Sequence, residues 1–177
     1  DGKKYIRITS GTHSDVYRCE NTVIVVPKPP SPSSTRSPGR MARDMLQRAA
    51  AMRVIAQSMD YYMANNLFVL PCGVATLKDI LQDSERTTWK KVFIYPYAGE
   101  TVYSRVRDPA VDTNRVWNDV ANLVVNLHRN GLVHCDAKDN NIVVSETYET
   151  KFIDFETVRK LPCVTYVNTK YHKLHIN

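Results

Sequence analysis

The chain has 177 residues, with 24 Lys or Arg against 18 Asp or Glu and a net charge of +6. At 43% hydrophobic and 24% charged residues it carries enough apolar side chain for a packed core, which excludes a disordered polymer. The length suits one domain or two small lobes, and no apolar run approaches the roughly 20 residues of a membrane span.

The basic residues are scattered, with no run of five or more. A solvated surface or an anionic phosphate ligand accounts for them as well as nucleic acid does, so neither a nucleic-acid nor a membrane partner is expected. Cys19, Cys72, Cys135 and Cys163 form no C-x-x-C pair, and reduced thiols are expected rather than zinc or a disulfide framework. His172 and His175 have no cysteine or carboxylate cluster beside them.

In chain order, Tyr5 to Thr9 alternates apolar and polar residues and Val23 to Val26 is β-branched throughout, predicting two strands around a turn at 10–15. Residues 29–38 hold four prolines and four serines and are expected to form a loop. Met41, Met45, Ala49, Met52, Ala56 and Met59 recur at helical spacing, which predicts a helix with Arg40, Arg43, Arg48 and Arg53 on its other faces. Leu67–Leu70 and Val92–Tyr95 read as strands, with a polar loop at 82–88 between them. Residues 96–100, P-Y-A-G-E, break the second strand.

Thr113 to Asn130 is the clearest helix. Asp112 or Thr113 caps it, Val116, Val120, Leu123, Val124 and Leu127 share a face, and Asn130-Gly131 closes it. Short strands follow at Ile142–Val144 and Lys151–Ile153. The strands are segregated rather than alternating with helices, which makes the class α+β.

The chemistry concentrates in residues 133–156. There His134, Asp136, Lys138 and Asn141 form an H-x-D-x-K-x-x-N skeleton, and Asp154-Phe155-Glu156 follows after one hairpin. An aspartate on a loop can accept the proton of an attacking hydroxyl. A lysine two residues on can balance the charge of a transferred phosphoryl group. An asparagine oxygen and a second aspartate can hold Mg²⁺ against phosphate oxygens.

This skeleton resembles the protein-kinase superfamily, whose catalytic loop is H-R-D-x-K-x-x-N and whose metal-binding aspartate opens D-F-G. The resemblance implies Asp136 and Lys138 as catalytic residues, Asn141 and Asp154 as Mg²⁺ ligands, and ATP as the nucleotide. Upstream, residues 11–17 resemble the phosphate loop but keep only Gly11 of its three glycines. Gly11 and Val16 are thereby implied at the nucleotide, and Lys28, after Val25-Val26-Pro27, at its α- and β-phosphates. Tyr95 to Tyr97 fall where the family grips adenine, so Tyr95 and Tyr97 are expected to offer backbone groups to the base.

The sequence departs from the pattern in several places. The helix after the loop should offer a glutamate to Lys28, yet that position falls near Gln47 or Arg48. Asp44 is the expected partner of Lys28, with Asp154 as the alternative. Cys135 replaces the arginine that receives an activating phosphate, so activity without prior phosphorylation is expected. Glu156 replaces the glycine of D-F-G, as in the choline-kinase and aminoglycoside-phosphotransferase branch, whereas Lys138 favours a protein substrate.

The stretch after Asp154 is short, so the expected architecture is α+β, a truncated two-lobe protein-kinase-like fold. Residues 1–97 would form the N-terminal lobe and 98–177 a reduced C-terminal lobe. Such a chain is similar to minimal kinases that bacteria inject into host cells by type III secretion, the HopBF-type above all and the OspG-type and NleH-type next. That resemblance implies a monomeric Ser/Thr kinase acting in the host cytoplasm on a protein substrate, the ninety-kilodalton heat-shock chaperone. The alternatives are a small-molecule phosphotransferase and a nucleotide-binding pseudokinase.

Overall fold

A computed structural model describes residues 5–10, 14–27, 39–76 and 91–161. Gly11, Lys28, the segment 29–38, the loop at 82–88, Cys163, His172 and His175 lie outside the described residues, as does the Asp44 side chain.

Five antiparallel strands form the first layer: β1 (Ile6–Ser10), β2 (Ser14–Cys19), β3 (Thr22–Pro27), β4 (Gly73–Thr76) and β5 (Lys91–Pro96), in spatial order β1-β2-β3-β5-β4. The period of two divides β3 between two faces. Ile24 and Val26 are buried with Val92 in a small core, while Val23 and Val25 face a cleft together with Val16 and Arg18 of β2. Val16 lies opposite Val25 and Arg18 opposite Val23, so the register places these four side chains on one face.

Helix α1 (Gly39–Ser58) follows, and α2 (Tyr61–Leu67) opens where Asp60 accepts a hydrogen bond from the Met63 amide at 2.8 Å. This N-cap explains a difference from the expected strand at Leu67–Leu70. Leu67 ends a helix, and Phe68 to Leu70 form a buried extended run that pairs, among the described residues, through a bridge from Phe68 to Phe152. All four residues are buried, so no polar alternation marks a strand. The sheet strand starts later, at Gly73.

The remainder contains β6 (Glu100–Thr101), a helical turn (Val102–Arg105), α3 (Thr113–Arg129), β7 (Leu132–Val133), β8 (Ile142–Val144), β9 (Thr150–Phe152) and β10 (Arg159–Lys160). Asp112 caps α3 by accepting from the Arg115 amide at 3.1 Å. Val116, Val120, Leu123 and Leu127 are buried along one face, each worth roughly 1.5–3 kcal/mol on full burial. The expected terminator is in place: Gly131 has φ +70° and its amide donates to the His128 carbonyl.

The larger core joins α3 and β8–β9 to Ala51 and Ile55 of α1 and to Met59 just after it. Helix α1 is therefore anchored to the part of the chain that carries the H-x-D-x-K-x-x-N motif. Its buried face is rotated from the methionine-based expectation: Ala49 and Ala56 are exposed, whereas Ala51 and Ile55 are buried and Arg48 turns inward. The helix is Ala- and Met-rich on two faces, so periodicity alone selects the face poorly. The face that packs puts Ala51 and Ile55 into the larger apolar core and turns Arg48 toward Glu156. No described helix is long and apolar enough to cross a membrane.

Candidate active site

Two tight turns build the site. The first follows β7, where His134 is buried at 1% exposure. Its Nε2–H donates to the Ile153 carbonyl at 3.0 Å, its ring stacks on Phe152 at 4.7 Å between centroids, and the Thr157 hydroxyl donates to its carbonyl. His134 is thus a buried strut between the two motif segments. Burial lowers its pKa, with hydrogen bonding to Ile153 opposing.

Beyond it Cys135 adopts φ +58°, and the Asp136 amide donates to the His134 carbonyl at 2.8 Å. A left-handed conformation is costly for a non-glycine residue. Here it reverses the chain within two residues and presents the Asp136 carboxylate outward.

Asp136 Oδ2 accepts from Lys138 Nζ at 2.8 Å and from Asn141 Nδ2 at 2.8 Å. Asn141 Nδ2 also donates to the Asp136 carbonyl at 3.0 Å. One carboxylate oxygen thus carries both bonds and the other is left to receive a proton. Lys138 is largely exposed, and the hydrogen bond to Asp136 raises its pKa, so it is a fixed positive charge. Asn141 has committed both amide hydrogens, which leaves its Oδ1 as a free donor atom for a cation.

The second turn follows β9. Asp154 has φ +59°, the same left-handed region as Cys135, and opens a 3₁₀ turn over Phe155–Thr157. Asn141 and Asp154 both line a cleft of about 850 Å³ between the sheet and the motif segments. Val16, Tyr95, Tyr97 and Glu156 line it too. The sequence-derived residues Asp136, Lys138, Asn141, Asp154, Val16, Tyr95 and Tyr97 are therefore gathered at or beside one cleft.

The two tyrosines also have partners within the protein. Tyr95 lies within β5 opposite Val23, and its hydroxyl accepts from Arg48 Nη1 at 2.6 Å. Burial pushes its pKa up to about 12. The Tyr97 amide donates to the Asn21 carbonyl at 2.8 Å, and Arg18 lies 3.5 Å above its ring. The following residue but one, Gly99, has φ +122°, and a Cβ there would stand 2.0 Å from the Val144 carbonyl oxygen. The crossing between the two halves of the cleft thus depends on glycine at this position.

Arg48 and Glu156 were not singled out as site residues in the sequence, yet both enter the cleft. Arg48 Nε forms an ion pair with Glu156 Oε1. Burial raises the Glu156 pKa to about 7, helped by a side-chain hydrogen bond with Asp154 and opposed by Arg48. The available signal was complementary: a helix without the expected glutamate, and a glutamate where the motif expects glycine.

No family model matches the sequence, and no curated protein matches it. The fold is similar to that of the bifunctional kinase–methyltransferase WbdD, with a TM-score of 0.57 at 12% identity over 85% of this chain and 31% of that one. Monomeric WbdD gives 0.56 at 12% identity over 85% and 33%, and its complex with a kinase inhibitor gives 0.56 at 11% over 85% and 32%. This chain spans about a third of the length of these structures. The architecture is mixed α/β, and it shares its fold with about a third of WbdD.

Proposed function

We propose that this chain is an ATP-dependent phosphotransferase whose acceptor is a serine or threonine hydroxyl of a protein. The observation that carries the reading is the double donation from Lys138 and Asn141 to one oxygen of Asp136, beside a cleft that also receives Asn141 and Asp154. A carboxylate fixed through one oxygen presents the other to an incoming hydroxyl in a defined direction.

The acceptor proton passes to Asp136 as the acceptor oxygen bonds to the γ-phosphorus. The bond from that phosphorus to the β,γ-bridging oxygen breaks, and ADP leaves. Lys138, a cation beside Asp136, offsets the charge that gathers on the transferred group. Val16, Val23 and Val25 supply an apolar roof for a base, and Arg18 stacked on Tyr97 closes one end.

The oxygens of Asn141 and Asp154 suit Mg²⁺, which takes one or two protein oxygens and completes its shell with phosphates and water. When bound, it neutralises phosphate charge. A protein acceptor fits the exposure of Lys138 and Asp136 (53% and 40% of their side chains). Glu156, the residue that pointed to small-molecule phosphotransferases, is committed to Arg48 and Asp154 and is not free to bind an acceptor. The role as an injected effector, with a host chaperone as target, rests on the resemblance to minimal secreted kinases, which covers the chain in architecture and is sharp over residues 133–156.

The test is transfer of labelled γ-phosphate to proteins of a cell lysate, to choline and to aminoglycosides, with and without Mg²⁺. Label on serine or threonine that requires Mg²⁺ and Asp136 supports the reading. Label only on the small molecules would replace it with the small-molecule alternative, and nucleotide binding without any transfer would replace it with the pseudokinase.

A further inference from the structure

The cleft contains a half-buried cation with no part in the chemistry above. Arg48 reaches in from α1, pairs with Glu156 and donates to the Tyr95 hydroxyl. Its guanidinium lies 5.8 Å from the Phe93 ring centroid. The Arg48 and Glu156 side chains are 22% and 16% exposed. At that depth desolvation consumes much of the Coulombic gain, so stability alone is a weak reason for the pair.

What the pair lies beside gives a better one. Glu156 sits two residues from Asp154 on the same 3₁₀ turn, and both line the cleft, so Arg48, Glu156 and Asp154 form a series running from α1 into the cleft. Asp154 stands in the left-handed region, which aspartate adopts more readily than most residues. Two neighbouring carboxylates repel when both are ionised, and a guanidinium on one of them relieves that repulsion and fixes where it points.

We infer that Arg48 is a positioning residue which, through Glu156, sets the direction of the Asp154 carboxylate and so the affinity of the cleft for a divalent cation carried by a nucleoside triphosphate. The inference rests on the phosphotransferase reading and deepens it.

The test is calorimetric titration of Mg²⁺ into the protein with a non-hydrolysable ATP analogue, alongside thermal melting without either ligand. Arg48→Met should weaken Mg²⁺-dependent binding by about 10-fold to 100-fold, as loss of a partner behind a metal ligand does. Arg48→Lys, which keeps the charge, should recover part of that loss, and Glu156→Gln should fall between wild type and Arg48→Met. Ile55→Ala, a core truncation two turns further along α1, should lower the melting temperature and leave Mg²⁺ affinity near wild type.

If Arg48→Met does not fold, Arg48→Lys and Glu156→Gln decide the matter. Wild-type Mg²⁺ dependence in the Arg48 and Glu156 variants would overturn the inference. So would an equal Mg²⁺ shift in Ile55→Ala, which would make Arg48 a packing residue only. If the wild-type protein binds the analogue with no response to Mg²⁺, the phosphotransferase reading falls and takes this inference with it. A normal wild-type response that Arg48 does not affect removes the positioning role alone.

Discussion

Asn141 gives both amide hydrogens to Asp136, one to Oδ2 at 2.8 Å and one to the main-chain carbonyl at 3.0 Å. This double bond fixes the amide plane, and the plane fixes everything the two residues do next. The Asn141 oxygen can only face away from Asp136, toward the cleft, while the Asp136 carboxylate keeps one oxygen without a donor.

Asp136→Asn should abolish transfer while nucleotide binding stays near wild type. The substitution removes a base and leaves shape intact, and general-base catalysis is worth about 10²–10⁴ in rate. Single-turnover transfer compared with equilibrium binding separates the two. Near-normal turnover would remove Asp136 from the role of base.

Lys138→Met separates catalysis from stability. The Lys138–Asp136 pair is half exposed, and such pairs contribute about 0–1 kcal/mol to folding. Its loss of charge next to the transferred group should nonetheless slow turnover by about 10²-fold. Urea denaturation and steady-state kinetics on the same preparation give both numbers. A turnover number near wild type would exclude Lys138 from the chemical step.

Asn141→Ala should affect both at once. It removes a free oxygen from the cleft and strips donors from the buried side of Asp136, at a cost of about 1–3 kcal/mol in stability. The Mg²⁺ requirement should rise more in this variant than in Lys138→Met. An unchanged Mg²⁺ titration would leave Asn141 as a purely structural brace.

Gly99→Ala should destabilise the whole molecule. Its φ of +122° is strained for any residue with a Cβ, and that Cβ would stand 2.0 Å from the Val144 oxygen. Backbone strain alone costs about 1–3 kcal/mol, and the clash adds to it. A melting temperature equal to wild type would mean that the crossing segment relaxes freely.

His134 gives a pH dependence with a definite sign. Its folded pKa is lowered, chiefly by burial, so the folded state favours the neutral ring and the unfolded state binds the extra proton first. This contribution is complete above the unfolded value of about 6.5 and is lost as the pH falls below it toward the folded pKa. Denaturation midpoints measured on either side of that value should decline on the acid side, and His134→Gln should flatten the decline. Equal slopes in wild type and variant would assign the acid sensitivity to other groups.

The local elements and the chemical motif were legible in the residue order because each depends on neighbours in sequence. Asp112 caps α3, its apolar face repeats at helical spacing, and Gly131 ends it, all within one segment. Asp136, Lys138 and Asn141 lie within six residues, so one loop suffices to bring their side chains together. Asp154 follows by a single hairpin.

Contacts between distant segments were decided only in the folded molecule. The helix beginning at Gly39 has two weakly distinguished apolar faces, and spacing did not say which one packs. The face that packs buries Ala51 and Ile55 in a core shared with α3 and β8–β9 and brings Arg48 to Glu156, more than a hundred residues away. The run Leu67–Leu70 has strand composition, yet a cap at Asp60 and burial on all sides make it the end of a helix and an extended crossing. The Tyr97 amide is committed because Asn21 of the β2–β3 turn lies against it. In each case the sequence states a propensity, and the outcome belongs to whichever partner from elsewhere satisfies a charge or a hydrogen bond that burial would otherwise leave unmet.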